Sequence, residues 1–322
     1  MNFIIINEIP LGKHLTEAAI HLREAMLLNG ILFNSEAWHG VTDAQIVKLE
    51  QIDEALIRGI LKAHSKTPKE FLYLETGCTP IRYILAQRRI NYLNQILGRS
   101  DEELVKKILI AQQEKPTQGD FVQLVKKDLD MLGISYEEAT QGTKKELKIT
   151  ANIVAFNVLK DMLKTHSKVK QIKYEVFEIQ PYLKTNLITI KETNMLTALR
   201  SKCIRGIKCN FKKMFKQCVE CPLKCETQNK YDDTQEHILS CKSLTGLTER
   251  TNTEIQFMYG TIEEQKVISK QFCILMRKRE KLMEEQDAAS TSSLPGAQFL
   301  DLSSQQQQQQ GAAAVHTVQL QG

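Results

Sequence analysis

The sequence predicts an all-α protein, and three observations predict it. Glycine (15 of 322 residues), proline (7) and aromatic residues (6%) are scarce, whereas sheet-rich folds draw more heavily on turn residues and aromatics. Apolar residues recur every three or four positions through much of the chain, the period of a helix with one buried face. Helix start and stop signals bracket several of these periodic stretches. Hydrophobic content of 42% and charged content of 25% are ordinary for a globular protein. The length allows about two or three domains.

The elements follow in order. In "VTDAQIVKLEQIDEALIRGILKAH", Ile46, Leu49, Ile52, Leu56 and Ile60 form one stripe, and Thr42 with Gln45 reads as a capping box. In "TPIRYILAQRRINYLNQILG", Thr79 suits the N-cap, Pro80 the first helical position and Gly98 the stop. Ser100 with Glu103 opens another helix, and "DFVQLVKKDLDMLG" ends at Gly133. "KKELKITANIVAFNVLKDMLKTH" is a long basic helix, and "ETNMLTALRSK" is a shorter one leading into cysteine-rich sequence. Thr261 and Glu264 cap "IEEQKVISKQFCILMRKREKLMEE". Two short runs, "FIII" (3–6) and "LITI" (187–190), suit strands, but neither has a hairpin partner with a turn signal.

From about Asp287 the composition turns to Ser, Gln and Ala with almost no charge. Such a stretch buries too little apolar surface to offset the entropy of ordering it, so 287–322 reads as a disordered tail. No repeat of 20–50 residues is evident. "FIII" is too short for a secretory signal, and no run approaches the ~20 apolar residues of a membrane span. The expectation is an intracellular chain with reduced thiols and no membrane partner.

Charge is unevenly placed. The net charge is +5, yet Lys144 to Lys216 holds 17 Lys/Arg against 5 Asp/Glu. Within it, "RSKCIRGIKCNFKKMFK" carries Arg200, Lys202, Arg205, Lys208, Lys212, Lys213 and Lys216 and no acidic residue. Cations so clustered neutralise phosphates and release counterions, and Phe211 and Phe215 nearby suit stacking on unpaired bases. The plainer reading is a solvated basic face with its aromatics docked on a core. Arg88/Arg89 and Lys126/Lys127 read as ordinary exposed helix faces, Trp38 as a core residue, and Cys78, Cys203, Cys209 and Cys273 as buried or neutral thiols.

The stretch "CVECPLKCETQNKYDDTQEHILSC" (218–241) then offers metal ligands. Cys221, Cys225, His237 and Cys241 are spaced C-x3-C-x11-H-x3-C. Pro222 bends the first pair into a turn, and Asp233 with Glu236 suits the cap of a helix that places His237 and Cys241 one turn apart. A turn and a helix face close a tetrahedron around Zn²⁺ with three thiolates and an imidazole. Cys218-x2-Cys221 is an alternative first pair, and unligated thiols in a basic loop are the plainer alternative. "YDD" (231–233) does not suit polymerase catalysis. Paired carboxylates of that kind sit on a hairpin between strands, and the flanks here hold no β-branched runs. No nucleophile elbow, P-loop or dinucleotide fingerprint is present, so no catalytic residue is assigned.

Several stretches together resemble the region after the polymerase palm in non-LTR (LINE-type) retrotransposon reverse transcriptases. They are "LREAMLLNGILFNSEAWHGVT", "LEQIDEALIRGILKA", "TPKEFLYLETGCTPIRYILAQRRINYLNQIL" and "CPLKC…DTQEHILSC". The resemblance runs from Met1 to about Asp287 and is most specific at Tyr73–Leu97 and at the cysteines. It implies thumb-like helices over 1–66, a helical linker over 67–142, a basic helical segment over 143–202, a basic arm with a CCHC knuckle over 203–250, and a C-terminal helix over 251–286. It also favours Cys225 over Cys218 as a ligand. RNA or DNA partners, nuclear action, and self-association through a thumb face are further implications. With no palm and no endonuclease signature, the chain is expected not to be an enzyme. The rival expectation is a helical scaffold whose zinc module binds protein.

Overall fold

The computed structural model describes residues 15–38, 40–204, 237–238, 241 and 259–292. Among these the secondary structure is helical, with one isolated antiparallel bridge between Thr76 and Ile179 and no strand. Contacts divide the chain into two units, Met1–Lys278 and Arg279–Gly322. None of the described helices is long and apolar enough to cross a membrane.

The first unit begins with α1 (Leu15–Leu22), which passes through a π-helical segment (Arg23–Leu28) into the short α2 (Asn29–Ile31). A 3-10 turn (Ser35–Ala37) leads to α3 (Asp43–Ile60), α4 (Lys69–Thr76) and α5 (Ile81–Leu97). Next come α6 (Leu104–Glu114), α7 (Phe121–Leu132), α8 (Tyr136–Gln141), α9 (Lys144–Lys164), α10 (Pro181–Lys184) and α11 (Ile190–Arg200). The last helix, α12, spans Ile262–Ser292. It therefore runs past Asp287, where composition places the start of a disordered tail.

Local chemistry explains most of the starts. Thr42/Gln45, Ser135/Glu138, Thr143/Glu146 and Thr189/Glu192 each form a capping box, which satisfies amide donors a helix start leaves open. Thr261 and Glu264 make the same reciprocal bonds before α12. The Thr189 box explains why Leu187–Ile190, whose residues would suit a strand, forms none: Ile190 is already the first residue of α11. Thr79 does not cap α5. Pro80 is the N-cap residue, and the Thr79 hydroxyl instead lies 2.7 Å from Asn152 Oδ1 on α9. Gly133 ends α7 at φ 65°, as its position predicts, whereas Gly98 ends α5 with ordinary right-handed backbone.

α5 is the central helix. Its Tyr83, Ala86, Ile90, Leu93 and Ile96 pack with Leu109 of α6, Val125, Leu129 and Leu132 of α7, Ala139 of α8, and Leu147, Ala151 and Ala155 of α9. Ile81 and Leu85 pack with Leu28 and Leu32, and Trp38, Ile46 and Leu49 lie against that second cluster. The clusters join helices from the ranges 1–66, 67–142 and 143–202. Burial on α3 falls on Asp53 and Ile57, while Ile52 of the expected stripe is 44% exposed. The stripe is rotated because α3 turns a carboxylate inward.

That carboxylate is one of several buried charges. Arg23 holds Asp53 through Nε and Nη2 at 2.5 and 2.6 Å, and the Tyr73 hydroxyl donates to Asp53 at 3.1 Å. Arg89 of α5 holds Asp128 of α7 at 2.5 and 2.7 Å. This corrects the reading of Arg88/Arg89 as an exposed pair: Arg89 is buried, and Arg88 is half-buried and donates to the Leu32 carbonyl and Asn29 Oδ1. Lys126 and Lys127 are exposed.

Gly77 is needed where it stands. Its φ is 61°, and a Cβ there would lie 2.5 Å from the backbone carbon of Glu178. The chain around Ile179 crosses the end of α4 at this point, and Gln180 N–H donates to the Glu75 carbonyl at 2.9 Å. Only a residue without a side chain lets the two backbones approach so closely.

Candidate metal and nucleic-acid site

The candidate site begins where α11 ends. Arg200 is the last residue of α11 and the first of the predicted cationic run, but its guanidinium is buried. It bonds Glu75 Oε1 through Nε at 2.9 Å and lies over the Tyr182 ring at 5.4 Å. The Tyr174 hydroxyl donates to the same oxygen at 2.6 Å. Burial pulls the Arg200 pKa down, but the charge and hydrogen bond of Glu75 together with Tyr174 and Tyr182 outweigh it, and the net direction is up. Burial, reinforced by Glu75, pushes Tyr174 and Tyr182 up as well. The cluster therefore holds one carboxylate and one guanidinium, with both phenols neutral. Arg200 is thereby corrected from a phosphate contact to an internal ion-pair partner, because its charge is committed to Glu75 away from solvent.

Beyond it, Lys202 takes the left-handed region at φ 51° and is half-buried, and Cys203 and Ile204 are buried. Arg205, Lys208, Lys212, Lys213 and Lys216 lie outside the described residues, as do Cys218, Cys221 and Cys225, the Asp233/Glu236 cap and Cys209.

Of the expected ligand quartet, His237 and Cys241 are described. His237 and Ile238 have helical backbone, and His237, Ile238 and Cys241 are all buried. Zn²⁺ is bound by imidazole nitrogens and thiolates, and two ligands on one helical face stand three or four residues apart. His237 and Cys241 are of those residue types and four positions apart in sequence, and both are buried. Among the described residues no group of three His, Cys, Asp or Glu side chains is arranged to hold a metal. Ligands from the first expected pair fall outside that set.

Two other thiols among the described residues, Cys78 and Cys273, are buried. Cys78 is fully buried, and burial pushes its pKa up to about 11, so it stays a neutral thiol at physiological pH. Cys273 is buried, 3.9 Å from the Lys191 carbonyl, and burial raises its pKa too. A cleft of about 220 Å³ is lined by Glu50, Glu54, Lys69, Tyr73 and Arg82, among others. Arg82 holds Glu50 at 2.6 Å and Arg58 holds Glu54 at 2.5 Å. Those carboxylates are committed to arginines, and the cleft offers no poised acid–base pair.

The buried Glu75–Arg200 pair escaped sequence reasoning. Its partners are 125 residues apart, and neither helical nor strand periodicity links them. No family model, no curated protein and no solved structure matches this chain.

Proposed function

We propose that this chain is a nucleic-acid-binding module resembling the post-palm region of a non-LTR retrotransposon reverse transcriptase. In this reading it has no polymerase chemistry of its own and acts on RNA or DNA in the nucleus. The single observation that carries the proposal is the burial of His237 and Cys241, four positions apart in the sequence that follows the lysine-rich run.

Cys221 and Cys225 complete the ligand set, with Cys218 as the alternative to Cys225. Bound zinc ties the two halves of the knuckle together and so contributes its binding energy to local folding. His237 supplies a neutral imidazole, and the cysteines supply thiolates. Lys202, Arg205, Lys208, Lys212, Lys213 and Lys216 contact phosphates by charge without reading sequence. Arg200 acts differently: it anchors the end of α11 from inside the helical unit. The Ser/Gln-rich sequence after α12 serves as an unstructured tail.

The test has two arms. Titration with Co²⁺ should give thiolate-to-cobalt absorption that saturates at one metal per chain and is lost in Cys241→Ala. Fluorescence anisotropy with single-stranded RNA and DNA should show affinity falling steeply with salt, by a log–log slope of about −4 for six phosphates on a single strand. Lys208→Glu with Lys212→Glu should abolish that binding with the helical content unchanged. No cobalt band and no binding at low salt would refute the proposal.

A further inference from the structure

α9 has a second apolar face. Its inward row is Leu147, Ala151, Ala155, Leu159 and Leu163, all buried. A second row, Ile149, Ile153, Phe156 and Lys160, is spaced by four, three and four residues. These positions fall within about 60° of one another around the helix and span roughly 16 Å. Ile149 is 47% and Ile153 53% exposed. Phe156 is half-buried against Phe177, with ring centroids 5.6 Å apart, and Lys160 lies over its ring at 4.6 Å. A helix that is apolar on two faces ordinarily covers both, because a surface helix needs one stripe only.

The charges around the row define what covers it. Lys145 and Lys148 are exposed beside its first turn, and Lys160 closes its far end. The acidic residues of α9 are already engaged: Glu146 caps the helix through Thr143, and Asp161 bonds Lys164 at 2.7 Å. A second copy of the chain is a poor match, since either antiparallel or parallel apposition of two such rows brings lysine against lysine. Phosphate is a poor match for the isoleucine centre. We propose that this face docks an amphipathic helix of a partner protein, with apolar residues at three- and four-residue spacing and carboxylates beside them. The partner's apolar stripe covers Ile149, Ile153 and Phe156, and its carboxylates meet Lys145, Lys148 and Lys160. The inference goes beyond metal and nucleic-acid binding and stands independently of both.

The test uses the intact chain and a fluorescein-labelled peptide of about 16 residues, with leucines at helical spacing flanked by glutamates. Two companion peptides carry the same residues scrambled, or lysines in place of the glutamates. Anisotropy should show the acidic amphipathic peptide binding at least ~10-fold more tightly than either companion. Ile153→Asp should weaken it by ~10-fold or more with the thermal unfolding curve unchanged, and Lys145→Glu with Lys148→Glu should weaken it in the same direction. Equal binding of the three peptides, or full binding by Ile153→Asp, overturns the proposal. So does a concentration-dependent dimer that Ile153→Asp abolishes, which would give the face to a second copy. Displacement of the peptide by a single-stranded oligonucleotide would give it to nucleic acid and overturn the proposal as well.

Discussion

The charged residues buried in the helical body and the cationic run from 202 to 216 differ in composition. In the body, three arginines turn inward. Arg23, Arg89 and Arg200 are buried, each bonded to a carboxylate 30, 39 and 125 residues away respectively. The stretch from 202 to 216 is rich in lysine and has no carboxylate within it. A guanidinium tolerates burial because its planar fork satisfies a carboxylate with two bonds, whereas an ammonium is a strongly hydrated point charge. Among the described residues, the presence of a distant acid is what makes an arginine an internal strut. A local count of positive residues does not show it.

The comparison breaks first at Glu75. Glu75→Ala strands the Arg200 charge in the interior and removes the acceptor of the Tyr174 hydroxyl. The loss should be about 3–5 kcal/mol in urea unfolding, whereas Lys126→Ala on the exposed face should stay within about 0.5 kcal/mol. Equal effects would mean that burial of the pair contributes nothing particular to the fold.

Gly77→Ala should cost about 1–3 kcal/mol from its left-handed backbone, with the approach of Glu178 adding to it. The measurement is a shift of the urea midpoint at unchanged m-value. A neutral outcome would show that the crossing of the Ile179 segment over α4 is not held closely in solution.

The smallest effect concerns exposed charges. Bonds from the Thr143 and Ser135 backbone amides hold Glu146 and Glu138 below the ordinary glutamate value of 4.5. A depressed folded pKa means that the stabilisation is complete above that value and is lost as pH falls through the folded one. Glu146→Gln should therefore be less stable than the native chain at pH 7, and the gap should close as the buffer is taken below the glutamate range. A gap that persists in acid would assign the difference to packing.

Much of the fold is legible from local signals. Thr42/Gln45 and Thr261/Glu264 mark helix starts because the capping interaction spans only three residues, and Gly133 marks a stop because its backbone turns left-handed. The same short rule finds Thr189/Glu192, where β-branched residues in "LITI" suggest a strand instead; the cap outweighs propensity over so short a run. The rotation of α3 is not legible, since an inward Asp53 makes sense only once Arg23 is known to face it. At the candidate site, spacing singles out His237 and Cys241 as ligand candidates, and both are buried. Arg200 was misassigned because its position in a cationic run says nothing of Glu75.

The Glu75–Arg200 contact also sets an order of events at the ribosome. α4 is synthesised 125 residues before the guanidinium that neutralises its carboxylate. At 5–20 residues per second, roughly 6–25 s separate the two. During that interval burial of Glu75 as a carboxylate would leave its charge unpaired, so closing the end of α4 is favoured only once α11 has emerged.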